Sequence, residues 1–315
     1  MKVVLTDQVF PTTEIERKIL TDIGAELVVL DDPSPESIRA GAADAVALLN
    51  TYAPIDRETL EHLENCKVIA RYGIGVDNID LGAARERDVV VTNVPDYCVD
   101  EVADHTLALL LAVARKLIAG RAHVMGGGWG IDPLRPIHRL RGRTLGLVGF
   151  GNIARAVATR AQAFGLAVTT YDPYIDDALL SSRDIARAAS LEDLLAGSDV
   201  VSVHVPLLDA TRALIDAGAL GHMRSDAILL NTSRGPIVDV DAVVEALRGG
   251  RLGGAGLDVF PTEPPDHRSF EGVENLVVTP HAAFYSDESI AESQTKAATC
   301  IVAVLRGEEP HYTVN

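Results

Sequence analysis

Cysteine is scarce in this sequence, and so is positive charge. Cys66, Cys98 and Cys300 are the three cysteines, widely spaced and with no C-x-x-C pair. That excludes a disulfide framework and a cysteine zinc site, and it fits reduced thiols in a cytoplasmic protein. Lys and Arg number 28 against 45 Asp and Glu, which leaves a net charge of −17 and a pI near 4.9. Nucleic acid and anionic membranes both demand clustered cations, so neither is expected as a partner. Any site for an acidic ligand must then be a local positive spot on a negative body. Long apolar runs are missing as well. The longest, Leu107 to Ala114, is too short to cross a bilayer. Met1 leads directly into a strand pattern, so no signal peptide is expected. There is no internal repeat, and no histidine pair has zinc-ligand spacing with a third ligand, so no metal is expected.

What is present is enough apolar material, 47% of 315 residues, for two domains. The informative stretch is Thr144 to Tyr174. An apolar strand, Leu145 to Phe150, breaks into Gly149-Phe150-Gly151-Asn152-Ile153-Ala154. A helical pattern follows and ends at Gly165, and a second strand delivers Asp172. This is a G-x-G-x-x-G/A fingerprint in its strand, turn, helix and strand context. Gly149 permits the tight turn, Gly151 lets backbone approach a pyrophosphate, and Ala154 allows close helix packing. The helix N-terminus offers unpaired N–H groups to the phosphates. Asp172 is placed to accept from the ribose hydroxyls and would repel a 2′-phosphate, which predicts NAD rather than NADP.

Before this stretch, residues 1–92 alternate short apolar strands with helical segments, the mark of βαβ units and a parallel sheet. Two strand ends look functional: Asn50-Thr51-Tyr52, and Arg71-Tyr72-Gly73-Ile74-Gly75. Open α/β sheets place ligands at such ends. Gly73 and Gly75 are read as an anion-binding concavity. Asp100 to Ala119 reads as one long helix whose apolar middle is buried between domains or subunits. The Gly- and Arg-rich segment 121–142, with the only tryptophan, Trp129, reads as an irregular interface loop. After the fingerprint, further strands end in His204-Val205-Pro206, Asn231-Thr232-Ser233-Arg234, Asp258-Val259-Phe260-Pro261-Thr262-Glu263 and Pro280-His281. Ser286 to Arg306 is read as a closing helix.

Three of these strand ends hold chemistry. A 2-oxo acid accepting hydride needs a planar, bidentate cation for its carboxylate and carbonyl, and Arg234 supplies that. Its oxygen needs a proton, and His281 is an acid that titrates near neutrality. The imidazolium needs an orienting carboxylate, which Glu263 provides. His105 and the remaining histidines lack this context and read as surface or packing residues, with His204 intermediate.

The segments GLVGFGNIARAVA, YDPY, HVPL, NTSRG, GLDVF-x-x-EP and TPHAA keep the order and spacing of the D-isomer-specific 2-hydroxyacid dehydrogenase family, which the chain resembles over nearly its whole length. The resemblance implies two doubly wound parallel-sheet α/β domains. Residues 1–98 and 286–315 would form a discontinuous, flavodoxin-like substrate domain, and 99–285 a Rossmann-type NAD domain. It implies Arg234, Glu263 and His281 as catalytic residues, with Asn152 and Ile153 at the pyrophosphate. Val205 and Pro206 would border the adenosine side, with Thr232, Ser233 and Asp258 near the nicotinamide. Ile74 and Gly75 would receive the substrate carboxylate, and Asn50 and Tyr52 would lie with them. Within the family, the chain is similar to the branch of C-terminal-binding corepressors and phosphoglycerate dehydrogenase-like proteins. Phe284 departs from the small residue common among the dehydrogenases and is expected to line or narrow the substrate pocket. The expected function is NAD-dependent interconversion of a small D-2-hydroxy acid and its 2-oxo acid by a homodimer. The alternative is a NADH-sensing binding protein like the corepressors.

Overall fold

Capped helices and apolar strands alternate from the first residues, and the computed structural model, which describes residues 1–315, resolves them into two compact units. One comprises Met1–Cys98 with Tyr285–Asn315, the other Val99–Phe284. In the first unit the strands are β1 (Lys2–Leu5), β2 (Glu26–Val29), β3 (Ala47–Asn50), β4 (Val68–Arg71) and β5 (Val90–Thr92). They pair in parallel in the order β2-β1-β3-β4-β5, the flavodoxin-like winding. Every residue of β3 and β4 is buried, as a sheet covered on both faces requires. Three of the four connecting helices begin at side-chain caps: Ser34 accepts from Ser37 N, Asp56 from Thr59 N and Asp80 from Ala83 N. The chain returns to this unit through a 19-residue helix, Asp287–Leu305, opened by a Ser286 capping box.

The second unit holds seven parallel strands. They are β6 (Thr144–Val148), β7 (Ala167–Tyr171), β8 (Ala186–Arg187), β9 (Val200–Val203), β10 (Ile228–Asn231), β11 (Gly254–Leu257) and β12 (Leu276–Val278). Their order is β12-β11-β10-β9-β6-β7-β8. Strand order reverses between β6 and β9, the crevice where Rossmann-type sheets bind dinucleotides. Both expected parallel-sheet architectures are therefore present.

One helix differs from its expectation. The segment read as Asp100–Ala119 is a helix only over Val99–Ala114. Lys116 takes φ +51, and a second helix, Leu117–Met125, sets off from there. Nor does its apolar middle need another domain or subunit to cover it. Leu107, Leu109 and Leu110 are buried within this unit's own core, and Val113 is buried beside Gly254. The glycines of β11 explain how. A Cβ on Gly256 would come 2.9 Å from Leu109 Cβ, and one on Gly254 would strike Val113. Bare backbone in β11 lets the helix settle directly onto the sheet. Strand β8 is a further element without a sequence signal, two residues long and exposed.

Candidate active site

The turn after β6 is built for a dinucleotide. Gly149 has φ +90, and a Cβ there would press within 2.9 Å of His204 O and Val205 Cγ1. Only glycine fits that corner. Two residues on, Gly151 faces open space, with no atom within 4 Å of where a Cβ would stand. It is the N-cap of the helix Asn152–Ala163 and supplies no side-chain cap, so the first N–H groups are left for an anion. Ala154 is fully buried against the sheet. Asp172, the first residue after β7, accepts from Phe150 N through Oδ2 and from Tyr174 N through Oδ1, both at 2.9 Å. A carboxylate has about four acceptor positions, so it can still take ribose hydroxyls. These residues fit NAD.

The same sheet edge presents His281 and Glu263. His281 Nδ1 lies 2.8 Å from Glu263 Oε2, and the other oxygen of Glu263 accepts from Phe260 N at 2.9 Å. Partial burial pushes the Glu263 carboxyl up, but the bonds from His281 and Phe260 N–H, with the charge of Arg234, outweigh it and hold the group below its ordinary value. His281 has φ +52, a left-handed conformation that a non-glycine residue adopts only when its surroundings impose it. Its amide donates to the Asp258 carbonyl at 2.8 Å. Arg234 stands at the turn after β10 and donates from Nη1 to Ser233 O at 2.9 Å. Asn231 shapes that turn, donating to Arg234 O and accepting from Ser233 N and Oγ. Phe284 packs edge-on to the His281 ring, centroids 6.1 Å apart. The three residues expected to carry the chemistry thus lie on consecutive strand ends of one sheet.

Residues 107–283 match the NAD-binding domain of the D-isomer-specific 2-hydroxyacid dehydrogenases. The chain is 35% identical over its full length to D-3-phosphoglycerate dehydrogenase of Methanocaldococcus jannaschii, of which it covers 59%. It is 38% identical to glyoxylate reductase of Korarchaeum cryptofilum, over 98% of this chain and 96% of that one. A crystal structure from Thermus thermophilus superposes with a TM-score of 0.90 at 39% identity and covers both chains fully. The chain belongs to the D-isomer-specific 2-hydroxyacid dehydrogenase family.

As a member of this family of NAD-dependent oxidoreductases, it has NAD as its cofactor, and the binding-protein alternative is not favoured. Among the other residues assigned to cofactor, Thr232 Oγ1 lies 2.9 Å from Thr106 Oγ1. Val205 and Pro206 follow β9 beside the fingerprint turn. Asn152 accepts from Arg155 at 2.8 Å, and Ile153 packs partly on the core. Asp258 is fully buried and holds the amides of Ala282 and Ala283 at 2.9 Å each. His204 bonds Ser202 Oγ through Nε2, and burial pushes its imidazole down to about 4.

In the first unit, Tyr52 is 44% exposed, while Ile74 and Gly75 are half-buried. The Ile74 carbonyl accepts from Asn93 Nδ2 at 2.7 Å. Two expectations change here. Asn50 has no exposed surface, and its amide is committed to Thr6, Ala53 and Asn78. It ties the strand ends together instead of presenting a side chain to a ligand. Gly73 and Gly75 do not take the left-handed φ that an alternating anion nest needs. Gly73 instead leaves room for the Arg71 guanidinium, which occupies the place of its missing Cβ. Sequence reasoning missed His105, whose Nε2 lies 2.9 Å from Thr279 Oγ1. Its partner is 174 residues away, and no local pattern marks it.

Proposed function

We propose that this chain reduces small 2-oxo acids to D-2-hydroxy acids, and oxidises them in reverse, with His281 as acid and base. The observation that carries the reading is the 2.8 Å His281–Glu263 pair on the sheet edge that bears the dinucleotide turn. NAD, when bound, supplies or takes up the hydride. Arg234 binds the carboxylate and carbonyl of the substrate through its planar fork. His281 donates a proton as the carbonyl oxygen gains charge, and Glu263 orients the ring and balances its charge. Phe284, edge-on to the His281 ring, limits the size of the substrate side chain, and Ile74, Gly75 and Tyr52 are the first unit's candidates for substrate contact. The unit containing residues 1–98 is the substrate domain.

The chain spans about three-fifths of the phosphoglycerate dehydrogenase it matches and nearly all of the glyoxylate reductase. Within the 121–142 segment, Arg135 pairs with Asp132 and Arg141 lies along Gly165. We place the homodimer contact on residues 117–131, where Leu117, Ile118, Val124, Met125, Trp129 and Ile131 are exposed. Three buried thiols accord with a reducing, cytoplasmic setting.

The test is a panel of glyoxylate, hydroxypyruvate, pyruvate, phenylpyruvate and 3-phosphohydroxypyruvate with NADH and with NADPH. Turnover of small unphosphorylated acids with NADH is expected. Asp172→Ala should bring NADPH use up towards NADH use, since it removes both the ribose acceptor and the repelling charge. No turnover of any of the five acids would contradict the reading.

A further inference from the structure

His105 sits on the helix Val99–Ala114, and proton counting fixes the direction of the bonds around it. Thr279 Oγ1 is 2.6 Å from Asp258 Oδ1, and its single hydroxyl hydrogen goes to that carboxylate oxygen. The Thr279 oxygen is then an acceptor toward His105, so the hydrogen between them belongs to His105 Nε2. The same Nε2 is 3.6 Å from Asp258 Oδ1. Asp258 distributes what it receives: its two side-chain oxygens take the amides of Ala282 and Ala283, and its carbonyl takes the amide of His281. The segment so gripped, residues 279–283, is the one that holds His281 at φ +52.

We infer that His105 is a positioning residue for the acid/base histidine, fixing the Asp258 carboxylate through Thr279 and thereby the turn in which His281 stands. This rests on the reading of His281 as the proton donor. A leucine at position 105 fills the space without a donor, whereas glutamine can place an N–H near the position of Nε2. Valine at 279 keeps the shape of threonine and removes the hydroxyl.

The experiment compares wild type, His105→Leu, His105→Gln, Thr279→Val and the Leu/Val double variant with NADH and glyoxylate. His105→Leu is expected to lower kcat about 10-fold, the scale of a small displacement of a catalytic group. KM for glyoxylate and NADH affinity should be nearly unchanged, and His105→Gln should recover most of the loss. Thr279→Val should cost a similar factor, and adding His105→Leu to it should cost nothing more, because the connection is already cut. A packing role would lower Tm alike in both His105 variants, without rescue by glutamine. Unchanged kcat in His105→Leu, or losses that multiply in the double variant, would overturn the inference. NMR at fixed pH gives a readout that does not need turnover: the His281 ring resonances should move in His105→Leu and return in His105→Gln. Unmoved resonances overturn the inference even where glyoxylate is not reduced. Moved resonances in a protein that reduces no 2-oxo acid would leave the positioning intact and contradict the enzyme reading alone.

Discussion

At the residue scale, several side chains of the site are tied by hydrogen bonds to their neighbours. Glu263 shows what that does. Its folded value is depressed, so it stays charged at pH values where a free glutamate takes up a proton. The sign of the pH effect follows: the stability from the pair is fully present above about pH 4.3, the ordinary value, and is lost as pH falls through the lower folded value. Glu263→Gln should therefore narrow its stability gap to wild type on acidification, as measured by denaturant unfolding at a series of pH values. A gap that stays constant below the ordinary value would mean the carboxylate is not held by His281 and Phe260 N–H. Arg234, Glu263, His281 and Asp172 were legible in the sequence because each follows an apolar strand. His105 was not, since what it does depends on a partner that only the folded chain brings near.

At the element scale, two glycines of similar appearance do opposite things. A Cβ on Gly235 would strike the backbone of Phe260, forcing apart the turn that carries Arg234 and the turn that leads to Glu263. Gly235→Ala should cost about 1–3 kcal/mol of stability, the usual range for overpacking, and most of the activity. Gly151, by contrast, has empty space where its side chain would be, with φ −72. Gly151→Ala should leave Tm nearly unchanged and weaken NADH binding about 10-fold or more, some 1.4 kcal/mol. Calorimetry and NADH titration on the two variants separate the cases, and equal NADH affinity in Gly151→Ala would contradict the pyrophosphate assignment. The strands and their order were legible from apolar runs and turn residues. The break at Lys116 was not, because a lysine in the left-handed region gives none of the signal that glycine or asparagine would. The same holds for β8, too short and too exposed to show a period.

At the scale of the whole molecule, each unit has its own parallel sheet, and the catalytic chemistry is assigned to the ligand edge of the seven-stranded one. The exposed apolar residues between 117 and 131 give the assembly prediction: light scattering at micromolar concentration should return a dimer mass, and Ile118→Asp should shift it toward monomer. A monomeric wild type would contradict the placement of that contact. The central claim is that His281 moves the substrate proton in both directions of one reaction. Reduction requires the ring charged so that it can donate, and oxidation requires it neutral so that it can accept. The most direct test is the pH dependence of kcat/KM for reduction of a 2-oxo acid and for oxidation of its D-2-hydroxy acid, in wild type and in His281→Ala. The account predicts that reduction falls and oxidation rises with pH about a single shared midpoint. In His281→Ala both limbs should disappear, both rates should drop roughly 10²–10⁴-fold, and NADH affinity should remain. Parallel limbs in the two directions, or near-normal turnover in His281→Ala, would contradict it.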